Sequence, residues 1–423
     1  MKIVIATAVY YPQINGVAVF SHNLAVGLMR RGHEVMVICP SQTGRRHVEM
    51  VDGVKTVFLK SIDAKVYPDQ IHAVPAKKKV MGKEWPRLWY KHGLRVSVFP
   101  GREVRQVLDE FQPDVVHVQV SDPIGLAVVK YARRHRIPVV TTEHNQPDVI
   151  TEQIGVPRVL KKPVNGMLSA YFVNRQSKSD FVTMPTELAI EKLIWSRGKE
   201  FKVPVAAVSN GVDLTHFKPG KAPKEIYEKY GVPEGVPVML YVGRIDPEKN
   251  VATVVRAFAE VKRRVPNAAL VMVGDGTDKP RLEKLAKKLG IAEAVKFLGR
   301  VLPPDLYELY KVGWVFVTAS EVETQGIVLI EAAASGLPLV AVKGGAVEDI
   351  CRDGEDGFLC ESGNITEMAE VTAKILSDDK LRRKLAGAAV RIAGEHDFER
   401  TLTKFENIYR RVVGKGKVRY CKF

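Results

Sequence analysis

Short apolar runs rich in valine and isoleucine alternate with longer amphipathic stretches from one end of the chain to the other. KIVIA (2–6), EVMVI (34–38), VKTVFL (54–59), VVHV (115–118), PVVTT (138–142) and DFVTM (180–184) have the length and β-branched content of strands. Segments 17–31, 101–111, 124–135 and 186–196 between them carry apolar residues at helical spacing. Strands that are mostly apolar, separated by helices, predict βαβ units around a parallel sheet covered on both faces. The pattern then restarts with VPVMLYVG (236–243), AALVMVG (268–274), VKFLG (295–299), WVFVT (314–318) and PLVAV (338–342). Between the two sets lies SNGVDLTHFKPGKAPKE (209–225), whose Asn-Gly, Gly and Pro residues mark a turn-rich connection. The predicted fold is α/β, with two doubly wound parallel-sheet (Rossmann-like) domains at residues 1–205 and 206–397. Ligands of such sheets bind beyond the carboxyl ends of the strands, so two sheets facing each other would define a cleft.

Length supports this division, because 423 residues exceed what one hydrophobic core usually fills. The cysteines Cys39, Cys351, Cys360 and Cys421 show no metal-ligand spacing, which fits reduced thiols in a cytoplasmic compartment. The opening MKIVIATAVYYP holds an Ala-Thr-Ala that looks like a cleavage site, but the apolar run before it is too short for a signal core. No apolar run approaches the ~20 residues of a spanning helix. The formal net charge is +16, and residues 55–105 are the densest part, with 12 basic and 4 acidic residues. Such asymmetry points to an anionic surface or polymer as partner, with a solvated basic loop as the plain alternative.

Four stretches carry candidate chemistry, and each has an ordinary structural alternative. In YYPQINGVAVF (10–20), Gly16 stands at a helix start where free N–H groups suit an anion, though any α/β protein has such a turn. In VGRIDPEKN (242–250), Arg244 and Lys249 follow a strand end and would converge on a diphosphate; the alternative is a solvated turn. The GxxxxGK[ST] spacing of a P-loop is absent there. In VVTTEHNQP (139–147), His144 follows a strand by two residues, where an imidazole titrating near neutrality gives or takes a proton. A loop histidine with no role is the alternative.

The fourth stretch, SEVETQGIVLIEAAASGLP (320–338), puts Glu323 before an apolar run and Glu331 inside it. Thr324–Gly326 are expected to start a helix whose N–H groups meet phosphate, with Glu331 about two turns in. A carboxylate is a pure acceptor, able to take two vicinal hydroxyls. Left unpaired it is costly, so Glu331 needs a partner, from the protein or from a ligand.

In this order the four pieces resemble the retaining GT-B glycosyltransferases that use nucleotide sugars, the large group called family four, group 1. The resemblance covers essentially the whole chain. Its most specific element is the E-x7-E spacing from Glu323 to Glu331 within ETQG…EAAASGLP, supported by NGVA, PDVVHV (113–118), SNGVD (209–213) and VGR…EKN. It implies that Glu331 binds ribose hydroxyls and that Glu323, with backbone at Gln325 and Gly326, holds the donor sugar. Arg244 and Lys249 would neutralise the diphosphate, Gly16 would let backbone close over it, and the base would stack near Gly299–Val301. His144 would lie beside donor sugar and acceptor, completing a catalytic set of His144, Arg244, Lys249 and Glu323. The final helix, 398–423, would cross back to the N-terminal domain. The implied chemistry is a front-face attack that retains the anomeric configuration, with no metal and no cofactor besides the nucleotide sugar as co-substrate. Asn145 departs from the pattern, since relatives commonly carry a small hydroxyl residue there.

Residues 65–105 interleave Lys and Arg with Trp85, Trp89, Tyr90 and Phe99, which suits the headgroup region of an anionic bilayer. The combination resembles the diacylglycerol glucosyltransferase branch. The expected activity is hexose transfer from a UDP- or GDP-sugar to a membrane lipid at the inner face of the cell membrane. A soluble sugar, polyol or polysaccharide acceptor is the alternative. A nucleotide-sugar epimerase would need acid–base residues beyond His144. A nucleic-acid-binding protein would fit the basic balance, but no recognised module appears, so no nucleic-acid partner is expected.

Overall fold

In the first strand, Lys2–Ala6 (β1), Ile3, Val4, Ile5 and Ala6 are all fully buried, as an all-apolar run must be when helices cover both faces of its sheet. The computed structural model describes the chain apart from Pro12, Ile14, 65–70, 73–78, 81–82, 85–89, 92–93, Val120, Ser121, Asn145, 154–155, 196–201, Val322 and 421–423. Most of the basic aromatic segment, Trp85 and Trp89 included, lies outside the described residues, as does Asn145. The chain forms two compact units, Met1–Ser209 with Thr401–Phe423, and Asn210–Arg400.

In the first unit β1 is followed by α1 (Gly16–Arg30), β2 (Glu34–Pro40), β3 (His47–Val51), β4 (Val54–Leu59) and α2 (Gly101–Phe111). Then come β5 (Val115–Val118), α3 (Pro123–Arg134), β6 (Val139–Thr142), α4 (Pro147–Gln153), α5 (Arg158–Gln176), β7 (Phe181–Met184), α6 (Glu187–Trp195) and β8 (Val205–Ala207). Among the described residues these strands make an eight-stranded sheet in the order β8-β7-β6-β5-β1-β2-β4-β3. β1 runs parallel to both neighbours, with Ile3 opposite Val115 and Lys2 opposite Glu34. β3 is antiparallel to β4 and was not visible as an apolar run, because Val48, Glu49 and Met50 all face solvent at the sheet edge. Ile62–Ala64 also pairs antiparallel with Leu94–Val96.

The second unit contains α7 (Lys224–Tyr230), β9 (Val238–Val242), α8 (Val251–Arg264), β10 (Ala269–Val273), α9 (Lys279–Lys288), β11 (Val295–Gly299) and α10 (Asp305–Tyr310). β12 (Val315–Val317), α11 (Ile327–Ala334), β13 (Leu339–Val342), β14 (Gly357–Cys360), α12 (Ile365–Ser377) and α13 (Asp379–Ala393) complete it. Its parallel sheet has the order β11-β10-β9-β12-β13-β14. β14 escaped the hydropathy pattern because a four-residue strand beginning with Gly357 has no extended apolar run. The last helix, α14 (Phe398–Tyr420), contributes Phe405 and Tyr409 to the interior of the first unit, where the Tyr409 hydroxyl lies 2.7 Å from His117 Nδ1. No described helix is long and apolar enough to cross a membrane. Cys39, Cys351 and Cys360 are free and buried.

Three strand ends of the second sheet touch through bare backbone. Gly243 N–H donates to Val273 O at 3.0 Å, and Gly274 N–H donates to Gly299 O at 2.8 Å. A Cβ on Gly274, where φ is +140°, would come within 1.8 Å of Gly243 O, so glycine is required there by space and by conformation. Gly274→Ala must therefore push β9 and β10 apart, costing on the order of 1–3 kcal/mol or more. Urea unfolding followed by tryptophan fluorescence should show a lowered midpoint; an unchanged midpoint would mean that the strand ends do not touch.

Candidate functional site

Beyond the end of β9, the residues RIDPEKN form a loop closed by a 3-10 turn at Pro247–Lys249. The exposed Arg244 guanidinium is bonded to the Asp246 carboxylate and, at 2.6 Å, to Glu248 Oε1. Lys249 is largely covered, and its Nζ lies 2.7 Å from Glu323 Oε1 and 3.4 Å from Ser320 Oγ. Beneath them the Tyr241 hydroxyl donates to Arg244 O at 2.6 Å; burial first, then the charge of Glu323, holds this phenol far above its usual range. The loop after β9 and the loop after β12 thus bring Arg244, Lys249 and Glu323 into one cluster. Both cations have carboxylate partners, because a partly desolvated charge without a counter-charge is costly.

Gly326 has φ +72° and precedes α11 with no side chain capping the helix start. Its left-handed conformation stops the helix from beginning at Thr324, so α11 starts at Ile327. Glu331 is then just over one turn in, not two. The Gln325 side chain is buried and accepts from Asn210 N–H at 3.0 Å, while Asn210 Oδ1 is itself buried with no hydrogen-bond partner.

Glu331 finds its partner in Tyr310, whose hydroxyl donates to Glu331 Oε2 at 2.6 Å. Tyr310 ends α10, is fully buried, and meets the edge of Phe217 with ring centres 5.5 Å apart. Burial raises the Glu331 carboxyl to about 7, although the Tyr310 hydrogen bond works in the opposite direction. The requirement for a donor was legible in sequence, but nothing marked this tyrosine, 21 residues away, as the donor. Val301 is buried beyond β11, next to the exposed Arg300. Tyr241, Tyr310, Ser320 and Asn210 were all missed, because each is a common residue type in an ordinary element or loop.

In the first unit His144 follows β6 and is buried, with Nε2 2.8 Å from Gln119 Oε1 and its ring edge-on to Phe20 at 5.3 Å. Since Gln119 Oε1 can only accept, Nε2 carries the proton. Burial lowers the His144 pKa to about 4, which corrects the expectation of titration near neutrality. Its neighbour His117 is bridged to Thr142 Oγ1 at 2.7 Å and to Tyr409, and burial followed by the charge of His144 brings it to about 3. Gly16 is the exposed first residue of α1, and Asn15 Oδ1 caps that helix by accepting from Ala18 N–H at 2.9 Å.

Residues 14–216 match Glycosyltransferase Family 4, and residues 223–391 match Glycosyl transferases group 1. The chain belongs to this family of retaining glycosyltransferases, which transfer hexoses from nucleotide sugars, and its fold is GT-B. Sucrose-phosphate synthase from Thermosynechococcus elongatus shares that fold with a TM-score of 0.72 over 98% of this chain and 99% of its own, at 18% identity. Among curated relatives, the alpha-monoglucosyldiacylglycerol synthase of Acholeplasma laidlawii is 29% identical over 85% of this chain and 84% of its own. The enzyme of the same name from Streptococcus pneumoniae is 25% identical over 94% and 83%. The N-acetyl-alpha-D-glucosaminyl L-malate synthase of Bacillus anthracis is 26% identical over 96% and 97%.

The raised Glu331 pKa has a thermodynamic consequence. Between its ordinary value of 4.5 and about 7 the folded protein binds the proton that the unfolded chain has released. Stability therefore falls as pH rises through that window and levels off above it, by on the order of 3 kcal/mol at most. Glu331→Gln keeps an acceptor for Tyr310 but has no charge to bury. It should be more stable than wild type at pH 8 and nearly equal to it at pH 4.5, as read from urea midpoints at the two pH values. Equal stability at pH 8 would show that the carboxylate is solvated.

Proposed function

We propose that this glycosyltransferase uses a UDP- or GDP-linked hexose and delivers it to a hydroxyl of a membrane lipid such as diacylglycerol. The observation that carries the donor half is the cluster of Lys249, Glu323 and the uncapped start of α11, with Glu331 one turn further on. Glu331 keeps Oε1 for a ribose hydroxyl while Tyr310 holds Oε2. The free N–H groups after Gly326 take a diphosphate oxygen. Arrival of the diphosphate draws Lys249 away from Glu323, which frees that carboxylate, with backbone at Gln325 and Gly326, to accept hydroxyls of the donor sugar. Arg244 exchanges Asp246 and Glu248 for phosphate in the same way. Val301 lies where the base would pack. In the first unit, Gly16 offers close backbone approach and His144 a neutral imidazole whose Nε2–H is engaged by Gln119.

As the anomeric bond breaks, negative charge grows on the leaving diphosphate, and Arg244 and Lys249 stabilise it most in the transition state. Arg244→Ala should therefore lower kcat well over ten-fold while changing donor affinity less, and EDTA should leave wild-type turnover unchanged. A loss confined to KM, or activity that needs added manganese, would contradict this assignment.

The acceptor half is supported by similarity to the two monoglucosyldiacylglycerol synthases. The malate-using relative, similar over nearly its whole length, favours a soluble acceptor as the second reading. The deciding experiment supplies radiolabelled UDP-glucose or GDP-mannose with diacylglycerol in mixed micelles, and separately with malate or inositol phosphate. Label should move into the organic phase with diacylglycerol. Transfer only to the soluble acceptors would replace the lipid reading.

A further inference from the structure

α5 is apolar on two opposite faces. Its inner face holds Phe172 and Val173, buried together with Ser169 and Gln176. On the outer side Val159 is 84% exposed, Leu160 50%, Met167 66% and Tyr171 43%. Val159, Pro163, Met167 and Tyr171 recur every four residues and so form one slowly turning stripe along the helix, with Pro163 also exposed. An ordinary surface helix carries polar residues there, and a contiguous exposed apolar stripe marks a contact surface.

Charge selects the partner. From Gln153 to Ser179 there is no Asp or Glu, while Arg158, Lys161, Lys162, Arg175 and Lys178 are all cationic. Lys162 and Lys178 are exposed, and the Arg175 guanidinium lies over the Tyr171 ring at 5.0 Å. A second copy of the chain would set one acid-free cationic helix against another, with repulsion along the whole contact. An anionic lipid surface opposes both features at once, taking the apolar stripe among acyl chains and the cations at headgroup level.

We infer that α5 is the element through which the first unit lies on an anionic membrane. The inference rests on the lipid-acceptor reading and puts the docking surface on a helix distinct from the basic segment at 65–105.

The test uses the full chain with an environment-sensitive fluorophore on Met167→Cys, in a Cys421→Ser background, and a control label on Lys384→Cys. Phosphatidylglycerol vesicles at low salt should blue-shift the probe at 167, and lipid-borne quenchers should quench it, while phosphatidylcholine vesicles and the control label give no change. Met167→Glu/Tyr171→Glu should sediment with phosphatidylglycerol vesicles at least ~10-fold more weakly than wild type, since two apolar side chains no longer enter the bilayer. If wild type binds these vesicles while the probe at 167 is silent and the double variant binds equally, the inference falls and the lipid-acceptor reading stands. If wild type ignores the vesicles yet glycosylates detergent-dispersed diacylglycerol, the inference falls alone. If neither occurs, both fall. A concentration-dependent dimer abolished by Met167→Glu, without vesicle binding, would instead make the stripe a self-association face.

Discussion

A half-buried carboxylate just over one turn into an apolar helix is the constraint around which the second unit is organised. α11 packs Leu329, Ile330, Ala332, Ala333 and Ala334 into the interior, and Glu331 stands in the middle of that run. Hydrophobic packing alone would place a methyl or isobutyl group there. The carboxylate is tolerated because Tyr310, itself locked in the core, brings one phenolic donor to one oxygen. One neutral donor does not replace full hydration, so the proton is retained up to about 7. The fold thus gives up stability at neutral pH that an apolar residue at this position would keep.

The surrounding backbone answers a related demand for space. At Gly243, Gly274 and Gly299 the strands β9, β10 and β11 end in direct main-chain contact, leaving no room for a side chain on Gly274. Side chains beyond these ends are thereby supplied by the loops that follow, Arg244 and Lys249 among them. Their present partners are surface and near-surface acids whose ion pairs are individually weak where water reaches them. In the function proposed, an incoming diphosphate, carrying more charge than any single carboxylate, would compete for both.

Most of the architecture was legible because parallel strands covered on both faces must be largely apolar: β10 is so throughout, β1 and β2 carry a charge only at their first residue, and β5 breaks the run only at His117. β3 was lost because its residues face solvent at the sheet edge, and β14 because it is short. At the site, Glu331 stood out by polarity alone, and Lys249 and Glu323 by their places after strands. Their mutual pairing was not legible, since it depends on two loops 74 residues apart meeting in space. The position of His144 was readable from the strand before it. Its protonation state was not, because that follows from Phe20 and Gln119, which reach it from other elements.

Glu331 and His144 then share one physical logic despite opposite charge types. Burial penalises the ionised form of each, raising the acid to about 7 and lowering the base to about 4, so near neutral pH His144 is uncharged and Glu331 is only part ionised. Neither group is inert. Nε2–H of His144 is engaged by Gln119, which leaves Nδ1 as the ring's lone-pair face. Glu331 accepts from Tyr310 at Oε2, and in the function proposed its Oε1 takes a ribose hydroxyl. On that reading, hydroxyl donors bound there would stabilise the carboxylate and favour loss of its proton, so that ligand and ionisation would reinforce each other. An apolar residue at 331 would make a more stable helix, but one without that response.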